Sequence, residues 1–460
     1  MSASCDFLVI GAGPAGMAAA ATAARLGVAT LLVDEQAAPG GQIYRGVERR
    51  NENASSLSHA DWERGAALAQ EFRASGAGHQ AGTQVWQLDK DRNVYVTDGV
   101  KARCIQARRV LIAAGAMERP VPVPGWTLPG VMTVGAAQIR YKTNGYVPVC
   151  DAWIAGSGPL LWLYAAQALE AGARFEGILD TTPTANYARA LRYAVGALRN
   201  FSTVQRGRAL QQRVRAAGVP IIKNVSALEA KGNGQLASVR YCVNGQGHEK
   251  PAALLLLHHG VVPNAHATLS LDAAHRWDDA QRCFAPVTDR WGNISVEAYA
   301  AAGDCAGIVG AEASALQGRL AALEAARALG VITEAQRDTE AAPLRTALSR
   351  HLPIRPFLDT LFAPRASLFK PHDEVLVCRC ESVTARQIRD AVALGCLGPN
   401  QMKAFTRCGM GPCQGRLCGL PAAEIIAHAR GVNASKVGVF NVRPPLKPLS
   451  MSELAALQMK

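Results

Sequence analysis

The chain has 460 residues, 49% of them hydrophobic and 18% charged, with a formal net charge of +13. Its length suggests two to three domains with ample core, and its composition reads as globular and soluble, which excludes a disordered chain. Twelve cysteines, six of them between Cys378 and Cys418, do not read as a disulfide framework at this size. They point to a reducing, cytoplasmic compartment and to a metal or cluster site. Phe7 to Ala24 carries no charge, but three glycines and Pro14 break it, Asp6 precedes it and no basic stretch leads it. Neither a signal peptide nor a membrane span is expected there.

Phe7-Leu8-Val9-Ile10 is a short apolar run, as in a parallel strand buried on both faces. Gly11-Ala12-Gly13-Pro14-Ala15-Gly16 follows and opens an Ala-rich helix. Gly11 allows the tight turn, Gly13 lets the backbone approach a pyrophosphate, and Gly16 lets the helix lie close on the strand. The helix N-terminus then offers free N–H groups and its positive dipole end to phosphates. A second strand, Leu31-Leu32-Val33, ends in Asp34, 23 residues after Gly11, with Glu35 beside it. A carboxylate at that distance accepts from ribose hydroxyls. Gly40-Gly41-Gln42-Ile43-Tyr44-Arg45 closes this unit, its glycines allowing close approach and Gln42 and Arg45 supplying polar groups.

Residues 46–100 read as a helix followed by short antiparallel strands. Arg109–Ala116 is another buried strand, and Ala114 and Gly115 keep its end small. The Pro-rich Arg119–Trp126 cannot be helical and reads as a hinge. A second nucleotide-like unit begins at Ala152, with Gly156, Gly158 and, 24 residues after Gly156, Asp180. Leu161 stands where a third glycine belongs, which leaves two possibilities: a second nucleotide (NAD(P), ATP or FMN) near Gly156 and Gly158, or a fold without its ligand. From Thr181 to Lys223 there are eight Lys or Arg and no Asp or Glu. Tyr187, Leu191, Val195 and Leu198 fit the apolar face of a helix, with Arg189, Arg192 and Arg199 off it. Such a segment is either a solvated basic helix or a docking surface for an acidic partner or an anionic nucleotide. No aromatic-interleaved basic stripe accompanies it, so nucleic acid is not expected. His258 and His259 are adjacent on a strand, point to opposite faces and read as structural. Tyr299–Ala302 is then a strand of small residues leading to Gly303-Asp304 and a helix from about Ala311, which can bring a carboxylate to a ribityl chain.

These features resemble the flavoproteins related to thioredoxin reductase, in which an FAD domain is interrupted by an NAD-like domain. The resemblance covers residues 5 to about 330. It implies FAD on Gly11, Gly13, Pro14, Ala15, Gly16, Asp34, Glu35, Gly41, Gln42, Arg45, Ala114, Gly115, Gly303 and Asp304. No CxxC occurs in that region, so disulfide reduction is not expected.

After a stretch with Pro343, Pro353, Pro356 and Pro364, read as a linker, comes a cysteine-rich segment: Cys378-Arg379-Cys380, 27 residues, then Cys408 and Cys413 as CxxxxC. Between them Thr384 caps a helix over Arg386–Ala393 that ends near Gly395, and Asn400–Phe405 is a second helix. Four thiolates brought together across two helices hold zinc or a [2Fe–2S] cluster. CxC and a flavin upstream favour the cluster, with Cys418 or Cys396 as substitutes for the fourth ligand. The segment resembles the small ferredoxin associated with bacterioferritin.

With DEQAAPGGQIYR, ERPVPVPGWTLPGVMT and TRCGMGPCQGRLCG, nearly the whole chain is similar to the α-type subunits of heteromeric amino-acid dehydrogenases: those of opine oxidase, hydrogen cyanide synthase and D-hydroxyproline dehydrogenase. The fold class this implies is α/β, with two Rossmann-like dinucleotide-binding domains, one inserted in the other, and a small helical [2Fe–2S] domain. The expected boundaries are 1–120 and 270–335 for the FAD domain, 145–265 for the insert, 336–372 for the linker, 373–435 for the cluster domain and 436–460 for a tail. The resemblance implies a partner, a D-amino-acid-oxidase-like FAD subunit, together with a small ferredoxin-like subunit. It also implies an amino-acid or opine substrate on the complex, and membrane contact only through that complex. No acid–base pair beside the flavin can be read from the residues, so no catalytic residue is named, and three readings stay open: an FAD and [2Fe–2S] electron-transfer subunit, a stand-alone NAD(P)H-dependent flavin reductase, and a nucleotide-stabilised scaffold.

Overall fold

The computed structural model describes residues 3–48 and 59–457. Its first sheet is built around the apolar run at the N-terminus. Ala3–Ile10 lies between Thr30–Val33 and Ala102–Ile112, parallel to both, with Leu8 opposite Leu31 on one side and Val110 on the other. Successive side chains point to opposite faces. Phe7 and Val9 therefore join a core formed with the helices Pro14–Arg25 and Ala311–Ala328. Leu8 faces the antiparallel strands Gln84–Leu88 and Asn93–Thr97. The long strand Ala102–Ile112 changes partners along its length, pairing with Asn93–Thr97 at its start and with Tyr299–Ala301 at its end. The chain thus leaves this sheet after residue 112 and returns to it at residue 299.

Between those points lies a second, five-stranded parallel sheet in the order Ile221–Lys223, Gly177–Asp180, Ala152–Gly156, Leu254–His258, Val131–Thr133. Its edge strand, Val131–Thr133, precedes the boundary expected at residue 145. Thr133 stops that strand by capping the helix Val134–Asn144, its hydroxyl accepting from the Ala136 amide. Helices cover one face of the sheet, and a three-stranded antiparallel layer, Val225–Lys231, Ser238–Val243 and Gln246–Pro251, covers the other.

The stretch expected as a linker is not one. Glu334–His351 is an 18-residue helix with Pro343 inside it, and Arg355–Leu361 is another. Tertiary contacts outweigh the proline's cost here. Thr333 and Gln336 form a capping box. Arg337 is buried against Glu324 at 2.7 Å and lies over the Trp291 ring with Arg345.

In the cysteine-rich segment, Thr384 caps the helix Ala385–Ala393 through a capping box with Gln387, and Pro399–Thr406 follows as the second helix. A third helix, Gly419–Arg430, completes a core around Ile388, Met402, Ile425 and Phe440. The tail is not loose. Val442 and Leu446 are buried in the first sheet's core, and the Leu446 amide donates to the Trp86 carbonyl at 2.7 Å.

Candidate cofactor and cysteine sites

The expected dinucleotide residues converge at the carboxyl ends of the first sheet. Gly11 has φ of +106°, and a Cβ there would meet the Ala113 carbonyl oxygen at 2.5 Å. A Cβ on Gly16 would stand 1.8 Å from the Gly11 oxygen, so strand and helix touch through backbone alone. Gly13 differs from both: its backbone is extended, and an added Cβ would meet only the Gly41 Cα at 4.0 Å. No side chain caps the helix that begins at Pro14, although Ala15 and Gly16 lie in its first turn. Gly303 packs against Ala15, and Asp304 accepts from the amides of Val309 and Gly310 at 2.8 and 2.9 Å. That bond turns the chain into Ala311–Ala328, whose N-terminus is likewise without a side-chain cap. The start of Pro14–Arg25 lies against Ala311–Ala328 at Gly318, where an added Cβ would meet the Ala15 oxygen at 2.0 Å, and each helix has an N-terminus free of side-chain caps, which favours an anion. The Gly40-Gly41-Gln42 loop closes the cradle: the Gly40 amide donates to the Ala12 carbonyl, and Arg45 bonds Gln36 and Gln42 at 2.7 and 3.1 Å. Gly115 has open space where a Cβ would go, and the Ala114 carbonyl beside it accepts from Asn264 at 3.4 Å.

Asp34 braces this loop, its two oxygens accepting from the amides of Ala12 (2.5 Å) and Gln36 (2.6 Å). Glu35 is paired with Lys447 from the C-terminal tail. Lys142 reaches over from the second unit to the carbonyls of Gln42 and Ile43 at 3.0 and 2.9 Å. Neither lysine stands near the glycine motif in sequence, so no spacing rule could have found them.

The crevice of the second unit is filled by the chain itself. Nucleotides enter such folds at the carboxyl ends of the parallel strands. There Ser157 donates to the Phe362 carbonyl at 3.4 Å, and Asn186 to those of Leu361 and Ala363 at 3.2 and 3.0 Å. Arg365 donates to the Thr181 carbonyl at 3.0 Å and also bonds Asn224. The His258 imidazole lies 2.8 Å from where a Cβ on Gly158 would be. Leu161 is buried among the helices. Asp180 is buried as well, its carboxylate accepting from the Thr182 amide at 3.0 Å, and burial pushes it above the usual carboxylate range.

The two histidines part as expected of neighbours on a strand. His258 bonds Glu118 at 2.5 Å, and Glu118 in turn accepts from the Gly135 amide. His259 is wholly buried, and neither ring nitrogen has a partner among the described residues. Burial first, then electrostatic interaction with the neighbouring His258 and Arg119, pulls it down to about 3. The unfolded chain takes up this proton near pH 6.5 and the folded chain does not. Stability is therefore full above that pH and falls below it, by up to about 1.4 kcal/mol per unit. Going from pH 7 to pH 5 should lower the urea midpoint of the native protein more than that of His259→Leu. Equal shifts in the two proteins would exclude His259 as a source of acid lability.

The cysteines gather in a pattern the spacing did not give. Cys378, Cys408 and Cys418 are buried, with sulfur atoms all within 4.8 Å of one another. Hydrogen bonds from Cys408 and then Cys418 hold Cys378 as the thiolate, down to about 2, and push the other two thiols up. Cys380 and Cys413 interact with each other beside this trio, Cys380 exposed and Cys413 half-buried. Cys396 stands apart, its thiol donating to the Gly398 carbonyl at 3.2 Å. Cys418 enters the trio because it sits immediately before the helix Gly419–Arg430, whose packing in the small core fixes its position. Three mutually close thiols, with two more adjacent, are a donor set for a soft metal or an iron–sulfur group. The segment is fixed to the rest of the chain: Glu424 forms a two-pronged pair with Arg282 at 3.1 and 2.7 Å, and His266 bonds the Gln414 carbonyl at 3.3 Å.

A sequence model of the pyridine nucleotide-disulphide oxidoreductase family matches residues 5–330. The A subunit of opine oxidase from Rhizobium meliloti is 41% identical, over 98% of this chain and 87% of its own length. The chain belongs to that family, among its members similar to this opine oxidase component. Hydrogen cyanide synthase subunit HcnB of Pseudomonas aeruginosa is 30% identical over 97% of both chains. A sarcosine oxidase A3 domain model matches residues 373–458. Two solved structures share the fold. L-proline dehydrogenase from P. horikoshii has a TM-score of 0.73 at 20% identity, covering 98% of this chain and 80% of that one. Lactococcus lactis thioredoxin reductase has a TM-score of 0.51 at 20% identity, covering 71% of this chain and all of that one. The thioredoxin-reductase-like fold expected from the glycine motifs is thus the fold of this family member. No helix among its described residues is long and apolar enough to cross a membrane.

Proposed function

We propose that this chain is the FAD- and [2Fe–2S]-containing electron-transfer subunit of a heteromeric amino-acid or opine dehydrogenase. A D-amino-acid-oxidase-like subunit, with or without a small ferredoxin-like one, would oxidise the substrate's C–N bond and deliver electrons to it. The observation that carries this reading is that one chain, similar over its length to the A subunit of opine oxidase, joins a dinucleotide cradle to a fixed, buried group of thiols. Gly11, Gly13, Pro14, Ala15 and Gly16 would hold the FAD pyrophosphate, with Asp304 shaping the second helix N-terminus beside it. Asp34 and Glu35 would lie beside the ribose, and Gly41, Gln42, Arg45, Ala114, Gly115 and Gly303 would line the remainder. FAD supplies two-electron redox chemistry and an iron–sulfur cluster one-electron chemistry, a combination suited to passing electrons between sites. Cys378, Cys408 and Cys418 would hold the cluster, with the fourth thiolate from the Cys380–Cys413 pair. The closeness of the three thiols also fits one tetrahedral zinc ion, which is the second reading. The second unit would carry no nucleotide, since residues 361–365 fill its crevice. The proposed domains are the two halves of the first sheet with their helices, the inserted second sheet, and the cysteine-rich segment from residue 373. The cysteine usage supports a cytoplasmic site of action.

The test is turnover. Mixed with opines or D-amino acids and an artificial dye, the isolated, cofactor-replete chain should reduce no dye until the D-amino-acid-oxidase-like subunit is added. NADH should leave its flavin oxidised. Turnover without a second subunit would make this chain the dehydrogenase itself, and bleaching by NADH would make it a reductase.

A further inference from the structure

The helical segment from Thr184 to Arg199 is built inside out. Its successive pieces, Thr184–Ala190, Leu191–Tyr193 and Ala194–Arg199, follow one another directly, helical backbone joining the first two and Tyr193 departing from it before the third. The inward side is small or polar. Ala190 is buried, Asn186 is tied to the carbonyls of Leu361 and Ala363, and a Cβ on Gly196 would meet the Pro353 oxygen at 2.0 Å. The bulky apolar residues face out: Tyr187 is 49% exposed, Leu191 68%, Val195 64%, Leu198 69% and, at the start of the next helix, Phe201 48%. In sequence Tyr187, Leu191, Val195 and Leu198 fit the apolar face of a helix, and the structure turns that face to solvent. The four recur every three or four residues along the segment, and all are exposed. A contiguous apolar patch rimmed by charge marks an interaction site.

The rim identifies the partner's charge. Arg206 and Arg213 are paired with Asp61 and Glu170, but Arg189, Arg192 and Arg199 have no ion-pair partner among the described residues. We infer that this face is the docking surface for the partner subunit of the heteromeric complex, which presents an apolar surface rimmed by Asp and Glu. The inference rests on the proposed function and adds where the partner sits. A second copy of this chain is a poor occupant, because a two-fold contact would set the same arginines against each other. Tyr, Phe and Arg are the residues enriched where protein partners bind. The close backbone contact of Gly196 with Pro353 presents the patch as a rigid surface.

The experiment uses the full chain, the D-amino-acid-oxidase-like subunit, and variants Leu198→Asp and Arg192→Glu/Arg199→Glu. All three positions are exposed, so the fold should survive. Titration calorimetry should show dissociation constants at least tenfold weaker for both variants. Native association should weaken with added salt, and hydrogen exchange over residues 184–201 should slow in the complex. Unchanged affinity without protection of 184–201 would overturn the docking surface and leave the heteromeric reading standing. Absence of any native complex would remove both. Two further results would overturn it in favour of another occupant: binding of the free chain to phosphatidylserine vesicles, or self-association, if either is abolished by the same substitutions.

Discussion

Gly13→Val should purify as a folded protein without flavin, whereas Gly16→Val should scarcely fold. The two glycines are three residues apart in one motif and face different things. At Gly13 the backbone is extended, a conformation any residue adopts, and an added Cβ would meet only the Gly41 Cα at 4.0 Å. The valine methyls therefore enter the open space before the N-terminus of Pro14–Arg25, where the pyrophosphate would lie. Flavin affinity should fall at least tenfold, which is about 1.4 kcal/mol. The stability of the flavin-free protein should change by less than about 1 kcal/mol, the scale of a substitution at a helix start. At Gly16 the added Cβ would stand 1.8 Å from the Gly11 oxygen. Both contacting groups are backbone, so strand and helix must separate, at a cost of about 3 kcal/mol or more. Flavin absorbance after gel filtration, with urea midpoints of the flavin-free proteins, separates the two effects. Full flavin in Gly13→Val would place the cofactor elsewhere.

The first sheet was legible because its information is local. A buried strand, a glycine turn and an Ala-rich helix each follow from adjacent residues, and the acid at the end of the second strand lies within the same unit. Where tertiary contact decides, the sequence pattern misled. Pro343 marks a break by propensity, but the buried Arg337–Glu324 pair and the stacking on Trp291 hold a helix through it. The stripe from Tyr187 to Leu198 has the period of a core face, and periodicity cannot tell which side of a helix meets the protein. Gly156 and Gly158 keep the geometry of a nucleotide turn, while the segment that fills the crevice comes from about 200 residues further along, as the contact of Ser157 with Phe362 shows. By spacing alone Cys418 reads only as a substitute ligand, because spacing counts residues and the helix starting at Gly419 sets direction.

Cys418→Ser should abolish the metal or cluster, and Cys396→Ser should not. Both thiols are buried, so simple burial does not distinguish them. Cys418 has its sulfur within 4.8 Å of those of Cys378 and Cys408, whereas Cys396 donates its thiol to a backbone carbonyl. A serine oxygen is a harder donor than a thiolate and stays protonated where a thiol ionises, so it is poorly matched to iron in a sulfur cluster or to zinc in a thiolate site. Anaerobically purified native protein should contain about two irons and two acid-labile sulfides per chain, the stoichiometry of one [2Fe–2S] cluster. In Cys418→Ser the iron should fall to a small fraction of that, and visible absorbance from the cluster should vanish. Cys396→Ser should keep both, losing only about 1 kcal/mol of stability from its altered hydrogen bond. Of Cys380→Ser and Cys413→Ser, at least one should lose iron, and that one supplies the fourth ligand. One zinc per chain in place of iron would select the tetrahedral site built on the same three thiols. Full iron in Cys418→Ser would exclude Cys418 as a ligand and return the assignment to Cys378, Cys380, Cys408 and Cys413.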